Sequence, residues 1–203
     1  AADFERKELD GFRSLQEITG QHITSYGQPG EAWAPQVFPT LKKWGIPTYL
    51  DAHPILGIDG KSFWYGGILC YTDLKNLIRL QHKDGGLEEY IRDFDGIDKS
   101  GESIVFVSTY DHPTEFSCEV FWDEVNFAHG RNPQVLQPAP LRGPGEQTTY
   151  IQMIKEFIRY TQKQPNVEYR TASQGLGLEI NRKKPVTAED VRAIAANMKS
   201  DVT

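Results

Sequence analysis

The 203-residue sequence predicts a single α/β domain, residues 1–203, with parallel strands in a layered or barrel architecture. Three observations carry that expectation. Helical stripes alternate with short apolar runs along most of the chain, the pattern of repeated crossover units. Ile104-Val105-Phe106-Val107 is a continuous apolar run, as expected of a strand covered on both faces. No internal repeat or low-complexity tract divides the sequence, and 38% hydrophobic with 25% charged residues is the mix of a globular chain that buries a core.

The elements follow in order. Leu9, Phe12, Leu15 and Ile18 stand at three-residue steps and predict an amphipathic helix that stops at Gly20. A short extended piece is expected at 23–26, and Gly27-Gln28-Pro29-Gly30 is a turn. Pro35 opens a second helix carrying Val37, Phe38, Leu41 and Trp44 and ending at Gly45, with Pro39 tolerable only in its first turn. Residues 46–50 have strand composition and run into Asp51-Ala52-His53-Pro54. Phe63, Trp64, Tyr65, Ile68 and Leu69 flank Gly66-Gly67, which predicts a hairpin or bent strand.

Two short helices are expected next, one capped by Asp73 with Leu74, Leu77 and Ile78 inward, one after Gly85-Gly86 with the stripe Leu87, Tyr90, Ile91 and Phe94. The strand at 104–107 leads into a polar exit through Asp111, His112 and Glu115. Prolines and glycines make 132–145 a loop. Tyr150, Ile151, Ile154, Phe157, Ile158 and Thr161 fit a long helix, Val167 to Thr171 a short strand, and Thr187 with Asp190 a capping box that opens a terminal helix.

Composition narrows the function. Twenty-two Lys and Arg against 28 Asp and Glu leave a net charge of −6, so no basic field is available for a phosphate backbone and nucleic acid is not an expected partner. No apolar stretch approaches the ~20 residues of a membrane span, and no charged-then-apolar leader opens the sequence. The chain opens on Ala1, so a processed, trimmed or excised chain is expected. Cys70 and Cys118 are too few for a disulfide scaffold and lack the paired spacing of a structural zinc site; one bridge and two packed thiols both remain open.

Functional groups in parallel α/β folds gather at the carboxyl ends of strands. Asp51 and His53 at one such end, and Asp111, His112 and Glu115 at another, are therefore the candidate constellation, expected to meet at one mouth. A carboxylate beside an imidazole binds a divalent metal or works as an oriented acid–base pair. The same residues also fit a structural role, with His112 ordered by Asp111, Pro113 shaping the turn and Glu115 solvated. The five histidines, His22, His53, His82, His112 and His129, include no pair three or four apart, so no local zinc motif is complete. Gly175-Leu176-Gly177 lacks the setting of a dinucleotide site, and neither a Walker loop nor a serine elbow is present. Among the aromatics, core packing is the ordinary role; Trp33 and Trp64, beside glycine turns, are expected to stack on sugar instead.

Leu15-Gln16-Glu17-Ile18-Thr19-Gly20-Gln21, then Tyr26-Gly27-Gln28-Pro29-Gly30, then Trp44-Gly45-Ile46-Pro47 and the strand to Leu50-Asp51 follow one another in a layout that resembles the polysaccharide deacetylase family, the NodB-homology carbohydrate esterases, in the second half of that domain. Gly27 stands where the family's loop has arginine. The run 104–107 with His112 beyond it resembles the late strand whose histidine is the family's general acid, with a stretched spacing, and Phe121 to Phe127 resembles a subgroup elaboration. The resemblance implies a deformed or partial (β/α) barrel and metal-assisted removal of N- or O-acetyl groups from a glycan. His112 would be the acid and Asp51 and Asp111 orienting groups. Tyr26, Pro29, Gly30, Trp33, His53, Trp64 and Glu115 would contact substrate.

The divalent ion implied by the family, zinc by preference, is held by an aspartate and two histidines of the first half, which this chain does not supply. The resemblance thus implies a first half provided elsewhere, or a relative that has left metal-assisted deacetylation. A glycan is the expected partner, in a periplasmic, extracellular or cytoplasmic setting, with self-association or a missing N-terminal half as further expectations. A non-catalytic glycan-binding or interaction module with the same fold is the competing expectation, and a phosphoesterase built on the Asp-His pairs is a third.

Overall fold

A computed structural model describes residues 2–27, 33–52, 62–72, 76–80, 86–99, 103–127 and 134–179, together with 189, 192 and 196. The chain forms two compact units. Unit 1 comprises Ala1–Asn76, Ser103–Val107 and Tyr169–Thr203, and unit 2 comprises Leu77–Glu102 and Ser108–Glu168. The fold class is α/β with parallel strands.

In unit 1, helix α1 (Ala2–Thr19) is followed by β1 (Ser25–Gly27), a 3-10 turn at Pro35–Val37, α2 (Phe38–Lys43), β2 (Thr48–Ala52), β3 (Phe63–Tyr65) and β4 (Ile68–Thr72). The sheet order is β1-β2-β4-β3. β1 and β2 are parallel, β2 and β4 are parallel, and β3 closes back on β4 as an antiparallel hairpin. Parallel neighbours need a crossover, which α2 supplies between β1 and β2. The hairpin turn requires two consecutive residues at positive φ, and Gly66 (+56°) and Gly67 (+84°) provide them.

The core of unit 1 is Val37, Phe38, Leu41, Ile46, Tyr49, Ile68 and Cys70. Helix α1 joins it through Phe4 and Phe12, the latter stacked on Trp44 with centroids 4.5 Å apart, and ends at Gly20 with φ +64°. The expected face of α1 does not hold along its length, since Leu15 and Ile18 are 53% and 82% exposed. Three-residue steps lag the helical period by about 60° each, so the row from Leu9 to Ile18 winds around to the opposite side.

In unit 2, β5 (Leu77–Arg79) pairs in parallel with β6 (Ser108–Tyr110), Arg79 opposite Tyr110. Helices α3 (Gly86–Asp95), α4 (Pro113–Ser117), α5 (Trp122–Asn126) and α6 (Pro144–Gln162) complete it. Ile78, Leu80, Tyr90, Phe94 and Phe157 form its core, with Leu87, Ile91 and Ile154 against them. Pro144 sits in the first turn of α6 and the Glu146 carboxylate accepts the Gly143 N–H at 3.0 Å, half of a capping box.

Three predicted elements differ. Leu77 and Ile78 are strand, not helix, because Ile78 and Leu80 are buried while Arg79 between them is exposed, a two-residue period. Residues 104–107 are irregular, and the strand begins at Ser108; the Asn76 side chain donates to the Phe106 carbonyl at 3.2 Å, a capped loop in place of a ladder. Residues 167–171 are irregular too, entered through Asn166 at φ +65°, with Val167 and Tyr169 exposed. Asp73, Leu74 and most of the terminal helix lie outside the described residues, of which Glu189, Arg192 and Ala196 are helical. Both cysteines are free thiols.

Candidate functional site

The richest grouping of polar side chains lies at the exit of β6 in unit 2. Successive residues of an extended chain point to opposite faces, and His112 keeps that extended geometry (φ −101°, ψ 125°) before Pro113 opens α4. Tyr110 and His112 therefore share one face, and Asp111 takes the other, toward Leu80 and α6.

On the first face the Tyr110 hydroxyl lies 2.7 Å from Nε2 of His112, with the two rings edge to face at 4.9 Å. Glu115, one turn into α4, sets Oε1 at 3.5 Å from Nδ1 of the same ring. Phe121 packs on the imidazole with centroids 4.6 Å apart. The His112 side chain is 35% exposed and that of Glu115 17%, so the imidazole has a wet edge while its carboxylate partner is mostly covered. Arg142 holds the local backbone, its Nε donating to the Glu115 carbonyl at 3.0 Å, and Gln147 donates to the Arg142 carbonyl at 2.9 Å.

On the second face Oδ1 of Asp111 accepts the His112 N–H at 2.8 Å and faces the Tyr150 hydroxyl at 3.4 Å. Its Oδ2 is buried without a partner, as is Oγ1 of Thr114. Burial raises the Asp111 carboxyl to about 6; the His112 N–H opposes this, the Glu115 charge adds to it, and the Tyr150 hydroxyl and the His112 ring oppose it. Tyr150 donates chiefly to the Leu80 carbonyl, which the Tyr90 hydroxyl also approaches at 3.4 Å. Burial, then the nearby Asp111, raises the Tyr150 phenol, and burial pushes Tyr90 up to about 12, so both stay protonated donors at neutral pH.

The structure brings Asp111, His112 and Glu115 together within unit 2. It gives the imidazole a different carboxylate from the one expected: Asp111 binds the His112 backbone, and Glu115 faces the ring. Asp51 lies inside β2 rather than beyond it, in the stretch where the register against β4 shifts between Tyr49 and Ala52. β2 and β6 belong to separate sheets and separate units, so the strands carrying Asp51 and Asp111 are not neighbours of one sheet. His53, Pro29 and Gly30 lie outside the described residues, as do His82 and His129.

Two of the aromatic candidates of unit 1, Trp33 and Tyr26, pack against neighbouring rings. Trp33 meets Phe38, Tyr49 and Tyr65 edge-on at 5.3, 5.7 and 5.2 Å and joins the core it was expected to stand away from, because Phe63 and Tyr65 fold over it on the hairpin. Tyr26 is half-buried against Phe4 and Tyr49, its phenol raised by burial and by Glu8. Trp64 is half-buried in β3 opposite Leu69.

Sequence reasoning missed Tyr110 and Tyr150. The first is adjacent to Asp111 and belongs to the strand that the apolar run 104–107 drew attention away from. The second sits 39 residues on, within an ordinary helical stripe.

Among the described residues no group of three or more His, Cys, Asp or Glu is placed to hold a metal ion. The donor set implied by the resemblance does not fit the side chains at β6. Among the described residues no helix is long and apolar enough to cross a membrane. No family model, curated protein or solved structure matches the chain.

Proposed function

We propose that the chain is a polysaccharide deacetylase-like hydrolase domain acting on acetylated glycan, with His112 as its general acid–base. The single observation that supports this most is the partly exposed imidazole held by two polar groups, Glu115 at 3.5 Å from Nδ1 and the Tyr110 hydroxyl at 2.7 Å from Nε2 and 3.3 Å from Nδ1. Glu115, its Oε1 3.5 Å from Nδ1, fixes the ring, the orienting role a carboxylate plays beside a catalytic histidine. In the proposed step Nε2 of neutral His112 takes a proton from the water that adds to the acetyl carbonyl, directly or through Tyr110 Oη; the C–N or C–O bond of the tetrahedral adduct then breaks, and the same proton passes by that route to the departing amine or alkoxide, which returns the imidazole to its starting form. Acetate and the free glycan group are the products.

The reading carries with it the deformed (β/α) barrel, of which β1, β2 and β4 would be a parallel segment, and a periplasmic or extracellular setting suited to glycan. Any divalent ion would have to be held with donors from beyond the described residues, from an N-terminal half or a second copy. The row of planar side chains around His112 favours a second reading, a glycan-binding module without hydrolysis.

Acetate release from acetylated chito- and xylo-oligosaccharides, with and without added zinc, separates the two. Release that falls ~10²–10⁴-fold in His112→Ala, with an unchanged melting temperature, is the expected result. A stable, fully active variant overturns the assignment of His112. Oligosaccharide binding with no acetate released under any condition overturns hydrolysis and leaves the binding module.

A further inference from the structure

Helix α4 carries Glu115, and its five residues are too few to hold a helix by their own hydrogen bonds. His112, at its N-cap, makes no side-chain capping bond. Two of its carbonyls are instead closed from outside by one residue. The Arg142 N–H donates to the Ser117 carbonyl at 2.8 Å, and Nε of the same residue donates to the Glu115 carbonyl at 3.0 Å. Arg142 is in turn tied to the start of α6, where the Gln147 amide donates to its carbonyl at 2.9 Å. The guanidinium is half-buried, and among the described residues the bond to the Glu115 carbonyl is its one hydrogen bond and no carboxylate pairs with it.

What this bond fixes is the carboxylate that the imidazole faces. Tyr110 Oη reaches both ring nitrogens, 2.7 Å from Nε2 and 3.3 Å from Nδ1, and a hydroxyl donates or accepts, so Tyr110 does not choose which nitrogen of the neutral ring carries the proton. A carboxylate only accepts, and the nitrogen it faces keeps the proton. Oε1 of Glu115 stands 3.5 Å from Nδ1, at the limit of hydrogen-bond reach. Whether it makes that choice therefore depends on where α4 sets the Glu115 backbone.

Resting on the hydrolase reading above, we propose that Arg142 is a positioning residue of this site: by closing the carboxyl end of α4 it sets Glu115 against Nδ1 of His112, which keeps the proton of the neutral ring there and leaves Nε2 as the base. Arg142 takes no part in bond breaking and acts through Glu115 alone.

The test is nitrogen NMR of the full chain labelled in histidine, at a pH where the ring is neutral, with the His112 signals assigned by their loss in His112→Ala and kcat for acetate release measured alongside. The parent is expected to hold the Nδ1–H tautomer. In Arg142→Met, which keeps the stem and removes the donor, His112 becomes a mixture of tautomers and kcat falls ~10–10²-fold with KM unchanged. Arg142→Lys, whose ammonium does not reproduce the fixed Nε–H direction, falls between the two, and it carries the test should Arg142→Met not fold. Because the effect runs through Glu115, Arg142→Met adds nothing to Glu115→Ala. An Nε2–H tautomer in the parent, ring signals and kcat unchanged in the Arg142 variants, or losses that add in the double variant overturn the role. Acetate release reads the hydrolase proposal separately: no release by a parent whose ring signals respond as expected overturns hydrolysis alone, and release that depends on His112 but not on Arg142 overturns the positioning role alone.

Discussion

Asp111 offers one oxygen two donors and leaves the other buried with none. Its carboxyl is raised to about 6 by burial, against the pull of the His112 N–H, and with Glu115, Tyr150 and the His112 ring as the titratable groups facing it. The folded chain therefore holds this proton more tightly than the unfolded chain, where an aspartate titrates near ~3.9. The stability it contributes is complete below about pH 4 and is lost as pH rises through about 6. Asp111→Asn removes the titration, so its melting temperature is expected to gain on the parent between pH 4 and pH 7; a difference constant across that range refutes the assignment. At this scale the candidate site was partly legible. Asp111, His112 and Glu115 are close in sequence and remain close in space, and local spacing is what sequence displays. Which carboxylate serves the ring depended on strand alternation at one residue, and the Tyr150 contact depended on helix packing, which no spacing encodes.

Elements with a strong local signal were read correctly: α1 with its glycine stop, the Gly66-Gly67 hairpin, the Tyr90 and Phe94 stripe of α3, and α6. Those that failed are short. At three or four residues, Leu77–Arg79 and 104–107 are too short for apolar spacing to separate helix from strand, and whether such a run becomes strand is decided by a partner distant in sequence. Burial also corrects the stripes. Phe157 is 2% exposed at the centre of the unit 2 core, against Tyr90 and Phe94, so Phe157→Ala is expected to cost about 3–5 kcal/mol in chemical denaturation. Ile18→Ser, on the turn of α1 that has left the packed face, is expected to stay within about 0.5 kcal/mol. Comparable losses from the two would mean that α1 packs through its far side.

For the whole molecule the α/β class and parallel pairing followed from the alternation of elements, whereas the division into two units did not. Each unit has its own core, and the apolar run 104–107, read as the strongest strand, is instead an irregular segment of unit 1 between two stretches of unit 2. A net charge of −6 belongs to this scale as well. It predicts no retention of duplex DNA in a mobility-shift assay at 0.15 M salt, and a salt-sensitive shift would contradict it.

Because the chain passes between the units four times, their completion during translation is ordered. Every residue of unit 2 has left the ribosome once Glu168 emerges, while unit 1 still awaits the segment that begins at Tyr169. Within that segment the Ala172 carbonyl receives the Tyr71 hydroxyl at 3.0 Å, a bond spanning 101 residues of chain. Nascent chains arrested after Glu168 should accordingly protect the β5–β6 region from protease before they protect Tyr71 and its strand.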